Sequence, residues 1–176
     1  MVVLLFIAIL VIVNLFYFDR LNASLSSINE IHNRKLNIIT QMSRIVRDRS
    51  LSMLKMHLSE DPWYIDAEYM RFHQMAPEFI ELRDSLRGLS LAPDEQAELD
   101  RCLAMINKTQ PLQNDIVQRI YNGGDDKVLY DIMYKDMPLE GQLWAGFDEL
   151  NRIFINNAEQ ARQRENKEFE HSLHII

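Results

Sequence analysis

The chain has 176 residues, of which 47% are hydrophobic and 26% charged, with a net charge of −7 and a single cysteine, Cys102. That length supports one domain with a real core. One cysteine excludes an internal disulfide framework, and the acidic balance argues against nucleic acid as a partner.

Val2 to Phe18 is apolar except for Asn14. Seventeen residues at ~1.5 Å each give roughly 25 Å of helix, at the short end of what crosses a bilayer. No basic n-region precedes the run, and Asn22-Ala23-Ser24 is a poor small-residue cleavage site. Residues 1–18 therefore read as an uncleaved membrane anchor rather than a signal peptide. Only Arg20 flanks the run closely, so charge leaves the membrane orientation open.

No Gly or Pro occurs before Pro62, so the anchor is expected to run on as one helix to about Leu58. Its apolar residues beyond the membrane are Leu21, Leu25, Ile28, Ile31, Ile38, Ile39, Met42, Ile45, Val46, Met53 and Met56. Their spacing is mostly three and four, as in an amphipathic or coiled-coil helix. Ser59-Glu60-Asp61-Pro62 ends it. A second helix is expected from about Tyr64 to Arg87, kinked at Pro77, with Gly88 in the C′ position. Pro93, followed by Asp94 and Glu95, starts a third helix that runs to about Asn122 with a kink at Pro111. Gly123-Gly124 ends it.

Asp125 to Tyr134 reads as a short helical piece, and Lys135-Asp136-Met137-Pro138 as a turn. A fourth long helix runs from Leu139 to the end, with Leu143, Phe147, Leu150, Ile153 or Phe154, and Ala158 on one face. No stretch alternates by two as a strand would. The expected fold is all-α: an N-terminal transmembrane helix continuing into an antiparallel up-down-up-down four-helix bundle over residues 19–176. In such a bundle helix 4 returns to the membrane, and Ile175-Ile176 would begin a second span.

Charge is uneven. From Ile31 to Ser59 six basic residues face one acid, Asp48, for a net of +5, whereas Glu60 to the end carries −11. The bland consequence is a basic first helix packed beside acidic partners.

The anchor flowing into helix 1, the segment Ile38-Ile39-Thr40-Gln41-Met42-Ser43-Arg44-Ile45-Val46-Arg47-Asp48-Arg49-Ser50-Leu51, and the long returning helix 4 together carry a family likeness. The chain resembles the four-helix-bundle sensor domains of bacterial transmembrane signal transducers: chemoreceptors, sensor histidine kinases and membrane-bound diguanylate cyclases. The resemblance implies a periplasmic ligand-sensing domain on the bacterial inner membrane and a homodimer packed along helix 1. Any enzymatic output would lie beyond this chain.

Arg44 and Arg47 are three apart and share a helix face, whereas Arg49 is rotated by roughly 200° from Arg47. Arginine forks pair bidentately with carboxylates, so a small anion or amino acid is the natural ligand. In the chemoreceptors that this chain resembles, helix 1 arginines near the dimer interface hold such ligands. The alternative is that these arginines pair with Asp48 or the acidic helices and bind nothing. Counting equal distances from the membrane puts Trp144, Asp148 and Asn151 of helix 4 at the level of Arg47. They are the candidate second wall, although Trp144 also suits an ordinary core.

Met53, Met56 and His57, with Met70, His73 and Met75, flank the Pro62 turn, and thioether with imidazole suits Cu(I) or haem iron. No Cys-x-x-Cys-His or His-x3-His pattern accompanies them, and Met commonly fills helical cores, so no cofactor is expected. No phosphate loop, nucleophile elbow or His-Glu-x-x-His occurs, and the chain does not read as an enzyme. Two readings stand beside the sensor: a single-pass anchored protein-interaction module, and a haem- or metal-binding bundle.

Overall fold

The computed structural model describes the backbone of residues 2–125 and 127–173, and the side chains of residues 29–125 and 127–167. Among these residues every regular element is helical: α1 (Val2–Leu58), α2 (Pro62–Arg87), α3 (Pro93–Tyr121), the short α4 (Val128–Asp131), a π-helical turn (Ile132–Asp136) and α5 (Met137–Leu173). The all-α four-helix bundle expected from the sequence is the architecture found. The side chains of the expected anchor, residues 1–18, lie outside the described residues, as do Ile175 and Ile176. Among the described residues no helix is long and apolar enough to cross a membrane.

The helix ends follow local chemistry. Asp61 caps α2, its Oδ1 accepting from the Trp63 amide at 3.0 Å. Pro62 is therefore the first residue of α2 rather than only the end of α1, since the missing N–H is unneeded there. Gly88 closes α2 with φ −72°, in the right-handed region, and not with the left-handed turn expected of it. The left-handed turn belongs to Gly123 (φ +108°) and Gly124 (φ +71°) at the end of α3. There the Gly124 amide donates to the Arg119 carbonyl and the Gly123 amide to the Ile120 carbonyl, closing the last turn. Both α2 and α3 remain helical through Pro77 and Pro111.

The turn expected at Lys135–Pro138 is not a turn. Helix continues through it, because the chain widens to a π-turn just before the proline. The Met137 amide donates to Ile132 O, five residues back, and Pro138 follows in the first turn of α5, where its missing donor costs little.

The chain divides into two compact units. One joins α1 up to Arg34 with α5 from Phe154 onward; Phe154 is fully buried, and Arg162 pairs with Glu159 along α5. The other, Lys35–Ile153, holds the rest of the helices and the candidate site. Its core is built on residues recurring at three and four. On α1 these are Lys35, Ile38, Met42, Ile45, Arg49, Ser52 and Met56, all buried. On α5 they are Glu140, Leu143, Phe147 and Leu150. One end is closed by Met53, Met56, Phe72, Ile116, Val117, Ile120, Val128 and Ile132 in a single apolar cluster. Fully burying one such side chain stabilises by about 1.5–3 kcal/mol. α3 and α5 approach closely at Gly146, where a Cβ would stand 2.9 Å from Cys102 Sγ.

Candidate functional site

The same periodicity that buries Ile38, Met42 and Met56 buries Arg49. It lies seven residues after Met42 and seven before Met56, and is 8% exposed. Its guanidinium stacks 3.9 Å from the Phe72 ring centroid. It donates to the Phe72 carbonyl at 3.5 Å and to Asn114 Oδ1 at 3.4 Å, both long bonds. Burial pushes its pKa down to about 10, against the opposing charge of Asp136. Arg49 is thus a charge held inside the bundle by weak contacts.

The π-turn and the start of α5 supply the rest of a polar layer. Asp136 is 1% exposed and Glu140 3%. Gln113 of α3 donates to Glu140 Oε1 at 2.9 Å. The Asp136 carboxylate has no donor at good hydrogen-bond geometry, although the Gln113 amide also lies close enough to favour its charged form. The donor that fits is the Glu140 carboxyl itself. Burial raises both carboxyls, and the Asp136 charge raises Glu140 further, to about 9, so Glu140 holds its proton at neutral pH. Two carboxyls this close cannot both ionise cheaply, and they titrate as a pair.

A cavity of about 250 Å³ opens against this layer. Val46 and Arg49 come from α1, Phe79, Ile80, Arg83 and Arg87 from α2, Leu103, Ile106, Thr109 and Gln113 from α3, and Leu143 from α5. Its charged lining is entirely cationic.

The structure separates the three arginines singled out by sequence. Arg44 is exposed on a groove of about 360 Å³ with Asp48, Arg71, Gln74 and Glu78, where cations and carboxylates mix. Arg47 is exposed, its guanidinium 5.7 Å from the centroid of the Trp144 ring. Trp144 is half-buried, and its Nε1 has no hydrogen-bond acceptor. Asp148 is exposed and Asn151 half-buried, one and two turns further along α5. Arg47 and Trp144 are therefore brought together, while Arg49 points away from both into the core.

Asp136, Glu140, Gln113 and Asn114 were not singled out by sequence. The signal was available for two of them: Glu140 precedes Leu143, Phe147 and Leu150 in phase, and Gln113 precedes Ile116 and Ile120. Met53 and Met56 belong to the apolar end cluster. His73 stacks edge-on against Tyr69 and Phe72, with centroids at 4.5 and 5.4 Å. Among the described residues no three His, Cys, Asp or Glu side chains gather as metal ligands.

Comparison with known proteins places this architecture. No curated protein matches the chain. A solved structure described as the periplasmic sensor domain of a sensor histidine kinase superposes with a TM-score of 0.69 at 16% identity, covering 81% of this chain and 95% of that one. At that identity the likeness is one of fold. Residues 1–169 match the four-helix-bundle sensory module for signal transduction, and the chain belongs to that family.

Proposed function

We propose that this sensory module is the ligand-sensing input domain of a membrane-bound transducer of the chemoreceptor, sensor-kinase or diguanylate-cyclase kind. Residues 1–18 anchor it in the bacterial inner membrane, and residues 19–176 lie in the periplasm. The observation that carries this reading is the compact unit made by α1 up to Arg34 and α5 from Phe154. The first and last helical stretches fall in one compact unit, so a small displacement of α5 along α1 can be passed towards the bilayer.

A homodimer packed along α1 is supported by Leu51 and Leu54, which are 46% and 36% exposed and three residues apart on one face of that helix. Arg47, with Trp144, Asp148 and Asn151, then forms an outer-face site for a small anion or amino acid, and Arg44 faces the neighbouring groove beside Asp48 and Arg71. A second reading, docking of another protein at the tip, draws on Trp63, Tyr130 and Tyr134, which are 84%, 57% and 65% exposed.

The test of topology is a pair of fusions to the full chain after Ile176 in a bacterial host, one of alkaline phosphatase and one of a cytoplasm-only fluorescent protein. The expected result is phosphatase activity in the membrane fraction, lost when residues 2–18 are deleted. Fluorescence without phosphatase activity would contradict the periplasmic assignment.

A further inference from the structure

We propose that the cavity beneath α2 and α3, open to solvent on one side, is a binding site for a small monocarboxylate with a compact apolar body, held by Arg49 at its inner end. The proposal rests on the sensing reading only in taking the occupant to be a signal; binding itself stands on the cavity.

Three observations converge. The cavity wall mixes apolar side chains, Phe79, Leu103 and Leu143 among them, with Arg49, Arg83 and Arg87, and it includes no carboxylate. Three cations around an apolar space are unusual in a chain of net charge −7. Arg49 makes only two long hydrogen bonds, and the opposite charge it senses, Asp136, forms no ion-pair contact with it among the described residues. A desolvated guanidinium gains most from a bidentate carboxylate that arrives with its own apolar cover. Arg83 and Arg87 hold Asp84 and Asp100 at 2.8 and 3.1 Å. Those pairs use only part of each guanidinium's five donors.

Size and sign narrow the class. A volume of about 250 Å³ lies just below the roughly 300–1,000 Å³ of drug-sized ligand sites, which suits a small acid. A free amino acid is disfavoured, because the cavity wall offers its ammonium no carboxylate to pair with. The outer face around Arg47 and Trp144 is a different place, so the two sites separate by mutation.

The experiment is isothermal titration of the full chain in nanodiscs with 4-methylpentanoate and benzoate, each compared with its neutral amide. At least one carboxylate should bind with Kd below about 1 mM, and its amide about tenfold or more weaker, as expected for hydrogen bonds to a charged group. Arg49→Met should abolish binding. Arg83→Gln, on the cavity rim, should weaken it several-fold and keeps the test decisive if Arg49→Met does not fold. Arg47→Ala should leave affinity unchanged. Absence of binding by both acids, equal binding of acid and amide, or equal affinity in wild type and Arg83→Gln would overturn the cavity site. Loss in Arg47→Ala alone would overturn it too, while leaving the sensing reading intact, since that result places the anion on the outer face.

Discussion

Replacing Glu140 by Gln should make the protein less sensitive to alkaline pH. Glu140 is 3% exposed, and burial beside Asp136 raises its pKa from 4.5 to about 9. Between those values the folded state binds a proton that the unfolded chain has released, so stability falls as pH rises. The contribution is fully present below pH 4.5 and lost as pH climbs through the folded value. One proton over one pH unit is worth about 1.4 kcal/mol, so wild type loses on the order of 2–3 kcal/mol through this group between pH 5.5 and 7.5. Gln has the shape of the protonated acid: it can accept from Gln113 and donate to Asp136. Glu140→Gln lacks this slope.

His73 works in the opposite direction, because burial and the Arg49 charge lower its pKa, so its contribution fades as pH falls. The difference between wild type and Glu140→Gln cancels it. Urea unfolding followed by circular dichroism at pH 5.5, 6.5 and 7.5 gives both free energies. The variant should gain on wild type at each step upward. Parallel curves, with a constant difference across the range, would refute the protonated-carboxyl layer.

Three further outcomes follow from packing. Gly146→Ala places a Cβ 2.9 Å from Cys102 Sγ and 3.1 Å from Met105 Cε, and should cost about 1–3 kcal/mol in urea unfolding; adding Cys102→Ala should recover part of it. Lys35 and Glu95 form a 2.7 Å bridge with side chains 5% and 1% exposed, and Glu95 also accepts from the Ala92 amide, so Lys35→Met should cost about 1–3 kcal/mol by removing the cation while that amide stays in place, and adding Glu95→Gln should reduce the loss. The Cys102 thiol is buried and its pKa is pushed up to about 12, so its reaction with a thiol reagent at pH 8 should run at least ~100-fold slower in the native protein than in urea.

The bundle was legible because its long helices announce themselves. Pro62, Pro93 and Gly123-Gly124 mark boundaries that local chemistry enforces, and the three-four spacing on α1 continues from Ile38 to Met56. The π-turn was not legible. Pro138 signals a break in sequence, and only the widened turn at Ile132–Asp136, which no spacing rule encodes, lets helix pass through it. The candidate site was legible in part. Helix spacing put Trp144 at a level similar to that of Arg47, and the guanidinium lies 5.7 Å from the Trp144 ring centroid. Arg49, grouped with Arg44 and Arg47 by residue type, goes to the opposite side because its phase is that of Met42 and Met56. Its polarity obscured that phase, as it did for Glu140 and Gln113. A seam read only through apolar residues omits the charged positions that a buried layer uses.

Occupancy of the bundle should move α5 relative to α1. Asn33 on α1 and Gln160 on α5 are both exposed and lie in the same compact unit, so spin labels placed there report the helix pair directly. Cys102, buried, should stay unlabelled. With the full chain in nanodiscs, pulsed dipolar spectroscopy before and after saturation with the carboxylate that binds should show a shift on the order of 1–2 Å, the scale of signalling helix displacements. A distance distribution unchanged while calorimetry records binding would contradict a coupled displacement, leaving a bundle that binds an acid without transmitting it.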